Sequence, residues 1–148
     1  MSLTRQSPPF ENQLLSSLPR AEYERLAPHL ELVKLPQGRV IYEAGGAIHY
    51  AYFLKAGMAS LLSLTANGSA VEVGMVGREG IVGLPAILRA DIMPYQVIMQ
   101  LPGNAIRIRA AALRAEFKRG EKLQELTLRY TNTLLIQLSQ SAACNRYH

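Results

Sequence analysis

Tryptophan is missing from this 148-residue sequence, cysteine occurs once and histidine three times. The lone Cys144 cannot close an internal disulfide, and it cannot hold an iron–sulfur cluster, which needs about four thiolates. His29 and His49 stand apart in turn-like segments and the third histidine is the final residue. No metal-spaced cluster and no axial haem ligand follow from them, so no metal or cofactor is expected. Long apolar runs are missing too. Nothing approaches the roughly 18 consecutive residues of a membrane span, and the polar, proline-bearing stretch Met1 to Phe10 is unlike a secretory leader, so a cytoplasmic chain without membrane association is expected. No Ser/His/Asp set, His-x-x-x-His pair or phosphate loop is present, and Gly77-Arg78-Glu79-Gly80 has the wrong spacing for a dinucleotide fingerprint. An enzyme is therefore not expected. A cupin-like metal protein, also a roll of short strands, would need several histidines and a carboxylate converging inside, which His49 alone does not supply.

What is present is 49% hydrophobic residues and a net charge of +5, enough for one ordinary core and mildly favourable to an acidic partner. The late basic cluster Arg107, Arg109, Arg114, Lys118, Arg119 and Lys122 is interrupted by Glu116 and Glu121. It reads as a solvated face rather than a nucleic-acid stripe.

Asn12 to Ala27 carries leucines at helical spacing behind a capping asparagine, with Pro19 dividing it into two short helices. From Leu30 the period shortens. Leu30–Leu35, Arg39–Tyr42, Tyr50–Leu54, Met58–Leu64, Ser69–Met75, Tyr95–Leu101 and Ala105–Arg109 are strand-like runs, separated by proline- and glycine-bearing breaks. Asn67-Gly68 predicts a two-residue type I′ hairpin pairing Met58–Leu64 with Ser69–Met75. Even spacing of this kind indicates a sandwich, jelly roll or barrel. Ala110–Lys118 predicts a short helix, and Glu121 to about Ala143 runs without proline or glycine as a helix about 34 Å long. Leu123, Leu126, Tyr130, Leu134 and Leu138 form its apolar stripe, widened by Leu128, Leu135 and Ala142. Such a helix needs two covers, its own roll on one side and a symmetry mate on the other.

Four stretches in this order resemble the Crp/Fnr superfamily of transcription regulators: Leu32-Val33-Lys34-Leu35-Pro36-Gln37-Gly38 with Tyr42-Glu43-Ala44-Gly45; Tyr52-Phe53-Leu54-Lys55-Ala56-Gly57; Val76-Gly77-Arg78-Glu79-Gly80-Ile81-Val82-Gly83; and Gln140 to His148. The resemblance implies an α+β fold, mainly β with flanking helices. Its centre would be a double-stranded β-helix or jelly-roll β-roll of the cyclic-nucleotide-binding type, followed by a long C-terminal helix. It divides the chain into residues 1–120, the roll, and 121–148, a dimerisation helix. It also implies a winged helix-turn-helix beyond His148, so that DNA and RNA polymerase would be partners only through that further domain, with homodimerisation through the helix.

In relatives that bind cyclic AMP or cyclic GMP, a Gly-Glu-Leu step opens a short helix, and an arginine follows about ten residues later. The amides and guanidinium neutralise the phosphate, and the glutamate accepts from the ribose hydroxyl. Laid on this chain, the glycine is Gly83, but Leu84 and Pro85 follow, and Met93-Pro94-Tyr95-Gln96 stands where the arginine would be. Arg89 is the nearest cation. A shifted register using Arg78-Glu79-Gly80 would bury Gly83-Leu84-Pro85 inside a helix and is rejected. The resemblance thus leads to a sensor with an unassigned effector, cyclic AMP and cyclic GMP disfavoured. Pocket candidates are Gly83, Leu84, Pro85, Arg89 and Tyr95, with hydroxyls from Thr131 and Ser139. Two alternatives stay open: a true cyclic-nucleotide site with an unorthodox cassette, and a ligand-free dimerisation scaffold.

Overall fold

The computed structural model describes residues 12–88 and 92–147, with side chains as far as Ala142. Asn12 caps the first helix, α1 (Gln13–Ser16): its Oδ1 accepts from the amides of Leu14 and Leu15, while its Nδ2 donates to the carbonyls of Leu54 and Gly80. One buried side chain therefore starts the helix and ties it to the sheet. Pro19 separates α1 from α2 (Arg20–Leu26), as expected.

Among the described residues, six antiparallel strands form one curled sheet: β1 (Glu31–Leu35), β2 (Val40–Tyr42), β3 (Tyr50–Leu64), β4 (Ala70–Val76), β5 (Ile81–Val82) and β6 (Gln96–Arg109). The order β1-β6-β3-β4 has β2 on β6 and β5 on β3. The apolar core fills the inside of this roll, with Phe53, Leu54, Met99 and Ile108 wholly buried.

Two breaks expected from glycine and proline are absent. Lys55-Ala56-Gly57 and Pro102-Gly103-Asn104 lie inside the continuous strands β3 and β6, where the register shifts between Leu54 and Ala59. At this corner the strands press together. A Cβ on Gly57 (φ +89°) would stand 2.8 Å from the carbonyl oxygens of Leu101 and Pro102, and one on Gly103 would overlap Ala56. The glycines permit a bend in paired strands rather than ending them. The β3–β4 pairing is the expected one, from Ala59↔Val76 to Leu64↔Ala70. Its turn is longer than expected: Gly68 N donates to Thr65 O at 3.0 Å, so Ala66 and Asn67 occupy the centre, and Gly68 follows with a positive φ.

The chain closes with three helices, α3 (Leu84–Ile87), α4 (Ala110–Phe117) and α5 (Lys122–Tyr147). The start of α5 is capped from a distance by the buried Glu22 of α2, whose carboxylate accepts from Leu123 N at 2.8 Å and Lys122 N at 3.1 Å. That satisfies two of the otherwise orphaned first-turn amides.

Candidate functional site

The candidate site is the elbow where β5 turns into α3. Gly83 opens α3 with φ +103°, and a Cβ there would stand 2.7 Å from Tyr42 Oη and 3.0 Å from Ala51 Cα. Both the backbone and the space demand glycine. Tyr42 donates its hydroxyl to the Tyr50 carbonyl and meets the Tyr52 ring edge-on at 6.0 Å. Burial pushes the Tyr42 phenol up, keeping it a neutral donor. The preceding Gly77–Gly80 segment is a turn, closed by Gly80 N donating to Gly77 O, so the short helix begins at Gly83, the register expected.

Leu84 is buried and Pro85 occupies the first turn, which removes one amide from the helix start. Ala86 N is turned back onto Gly83 O at 3.1 Å. The guanidinium of Arg114 donates to Ala86 O at 2.8 Å, at the other end of α3. Inside the roll the space under the elbow amounts to about 10 Å³ between Leu61, Val76, Val82, Met93, Val97 and Leu134. On the outer side a groove of about 260 Å³ lies between α3 and α5, lined by Leu84, Pro85, Leu88, Tyr95, Thr131, Leu134, Leu135 and Leu138. No charged side chain is among them. Thr131 Oγ1 donates to Thr127 O at 2.8 Å, and burial raises the phenol of Tyr95.

Of the pocket candidates, Leu84, Pro85, Tyr95 and Thr131 line the outer groove, while Gly83 borders only the small inner space. Ser139 is exposed and lines none of these cavities, and Arg89 lies outside the described residues. The stripe assigned to dimerisation faces elsewhere than expected. Leu123, Tyr130 and Leu134 are buried against their own domain, and Leu126 and Leu138 are partly buried there. Tyr130 packs against Gly80, where a side chain would overlap its ring, and Leu138 packs beside Gly74. The exposed large apolar residues among the described side chains of α5 are instead Leu128 (48%), Leu135 (56%) and Ile136 (51%). Leu88 and Leu135 line the groove without having been expected there; only their apolar character marked them in the sequence.

The late basic residues are largely engaged. Arg107 pairs with Glu31 at 2.8 Å and stacks on Tyr50, Arg119 reaches Glu116 and Glu121, and Lys122 reaches Glu125. Glu22, Glu116 and Glu121 lie within 4.8 Å of one another. The Glu22 carboxylate holds the α5 amides, and Arg25 bridges Glu116 and Glu121, which raises its own pKa. Two wider clefts, of about 570 and 510 Å³, lie away from the elbow, beside Lys34 and Arg39 and between α2 and α4. Neither includes a residue of α3 or α5.

The sequence model of the cyclic nucleotide-binding domain matches residues 32–119. No curated protein matches the chain by sequence. Among solved structures, the chain is similar to the c-di-GMP-responsive global regulator CLP of Xanthomonas campestris, with TM-score 0.73 and 14% identity over 84% of this chain and 63% of that one. It is also similar to the sensor domain of the transcriptional regulator DNR from Pseudomonas aeruginosa (TM-score 0.65, 18% identity, 90% and 88% covered). A third likeness is to the N-terminal domain of a transcriptional regulator from Streptomyces coelicolor A3(2) (TM-score 0.64, 13% identity, 91% and 95% covered). At these identities the likeness establishes the fold. The chain spans under two thirds of CLP's length. No helix among the described residues is long and apolar enough to cross a membrane.

Proposed function

Because the chain belongs to the cyclic nucleotide-binding domain family, we propose that it is the effector-sensing and dimerisation module of a Crp/Fnr-type transcription regulator, non-enzymatic and cytoplasmic, whose elbow no longer takes a cyclic nucleotide. The observation that carries this reading is the elbow itself. Gly83 keeps the backbone that opens a short helix, yet Leu84 and Pro85 replace the carboxylate and an amide, and the space beneath is filled. A cyclic phosphate would lose its charge-assisted partners in an apolar setting, a penalty of about 1.5–3 kcal/mol for each such bond. In this reading residues 1–120 form the sensing roll. The helix 121–148 pairs with a second copy through Leu128, Leu135 and Ile136 rather than through the stripe that packs inward. Occupancy beside the elbow biases the angle of α5, and DNA and RNA polymerase are reached through a further domain.

Calorimetry with cyclic AMP, cyclic GMP and cyclic di-GMP, run beside sedimentation of the wild type and a Leu128→Glu/Leu135→Glu variant, tests it. The expected result is no binding tighter than about 10 μM, a dimeric wild type and a folded monomeric variant. Micromolar binding of any of the three nucleotides would restore the elbow as a nucleotide site. A variant that remains dimeric would remove α5 from the interface.

A further inference from the structure

Resting on that reading of the elbow, we propose that the groove between α3 and α5 binds an uncharged, predominantly apolar small molecule. Three observations bear on the occupant's chemistry. Every lining side chain is apolar except Thr131 and Tyr95, and the Thr131 hydroxyl hydrogen is already given to Thr127 O. A carboxylate or phosphate placed there would lose water and find no cation among the described lining residues, which costs several-fold to many-fold in affinity. The one other polar side chain in the lining is Tyr95, whose phenol burial keeps neutral. So little polar function matches a ligand with at most one hydroxyl or carbonyl.

Size narrows the class further. About 260 Å³ is just below the ~300 Å³ at which small-molecule pockets usually begin, so the occupant is a short alkyl chain or a single ring system rather than a nucleotide. The contrast with the inner space is what makes the groove a site rather than loose packing. Leu134 stands between the two, and the chain has filled the inner side to about 10 Å³ while the outer side stays open. The roof is incomplete: Leu88 and Leu135 are exposed at the rim. Leu135 also belongs to the outward face of α5, so an occupant would touch the helix that the proposed dimer uses.

The test is a methyl-detected NMR titration of the whole chain with 1-octanol, indole, octanoate and cyclic AMP. A Leu88→Gln variant alters the rim away from the α5 face, and a Thr131→Phe variant fills the groove. Sedimentation is run on the same samples. Saturable shifts of the Leu84, Leu134 and Leu138 methyls are expected with octanol or indole. Octanoate should bind at least about tenfold more weakly, cyclic AMP should leave these methyls unmoved, Leu88→Gln should weaken octanol several-fold, and Thr131→Phe should abolish its shifts while the chain stays folded. No saturable response to octanol or indole, or equal binding of octanoate, overturns the proposal. So does a groove whose methyl shifts follow protein concentration alone, because a second copy then fills it. If the protein is a dimer and the groove binds nothing, this inference fails while the dimeric sensor reading stands; if the wild type is a monomer, that reading fails.

Discussion

Leu134 and Leu135 are neighbours in the chain and opposites in the fold: the first is 5% exposed and closes the roll, the second is 56% exposed and faces outward. The two faces of α5 differ in how they are held. On the inner face Leu123, Thr127, Tyr130 and Leu134 sit within the core or against it, Glu22 caps the first turn, and Tyr130 covers Gly80. The outer face, with Leu128, Leu135 and Ile136, contacts nothing among the described residues that would bury it. A helix of 26 residues, about 39 Å long at 1.5 Å per residue, is thus anchored along one side and presents the other. The lesson is that an apolar helix face does not announce its partner; small residues on the facing surface decide which arc turns inward.

The contrast can be broken most sharply at those two leucines. Leu134→Ala should cost about 2–5 kcal/mol of unfolding free energy, because it empties volume between the core and the groove, whereas Leu135→Ala should stay within about 0.5 kcal/mol at a monomeric concentration. Urea denaturation of both variants measures the difference, and equal losses would mean that the two faces are held alike.

A smaller effect is expected where α5 meets the edge strand. Gln137 uses its side-chain amide as a strand would, its Oε1 accepting from Met75 N and its Nε2 donating to Met75 O. Gln137→Ala should cost about 1 kcal/mol, and hydrogen exchange at Met75 should quicken selectively. Uniform change across β4 would instead indicate general loosening.

The smallest effect, with the opposite sign, belongs to Tyr130. Its hydroxyl is buried without a hydrogen-bond partner, and burial, followed by the negative charge of Glu79, raises its pKa. Tyr130→Phe should therefore be neutral or stabilising by up to about 1 kcal/mol. The folded-state pKa lies above the unfolded value, so the neutral phenol's contribution is intact below about pH 10 and is lost as pH rises beyond it. Thermal melts between pH 8 and 11 should show a shallower alkaline decline in the variant; an unchanged slope would place the titration elsewhere.

Much of the roll was legible because its constraints are local. Asn12 caps what it was expected to cap, Pro19 divides the first two helices, and Gly83 opens α3 where the register placed it. Each follows from dihedral preference or a side chain reaching its own backbone. The merged strands were not legible, since Lys55-Ala56-Gly57 and Pro102-Gly103-Asn104 look like turns until each is seen to bend against the other. At the site, the character of Leu84 and Pro85 could be read directly, whereas the groove they form with Leu88, Leu135 and Leu138 required the position of α5.

By itself, then, the sequence determined the alternation of short strands, the elbow glycine followed by Leu84 and Pro85, and a long terminal helix with apolar residues on more than one side. Only the tertiary structure decided that Leu134 turns inward and Leu135 outward, that little space remains inside the roll under the elbow, and that an apolar groove lies between α3 and α5. The physical reason is range. Dihedral limits and capping act over a few residues and are written locally. The choice of buried arc depends on Gly74 and Gly80, which lie 64 and 50 residues before the Leu138 and Tyr130 they leave room for.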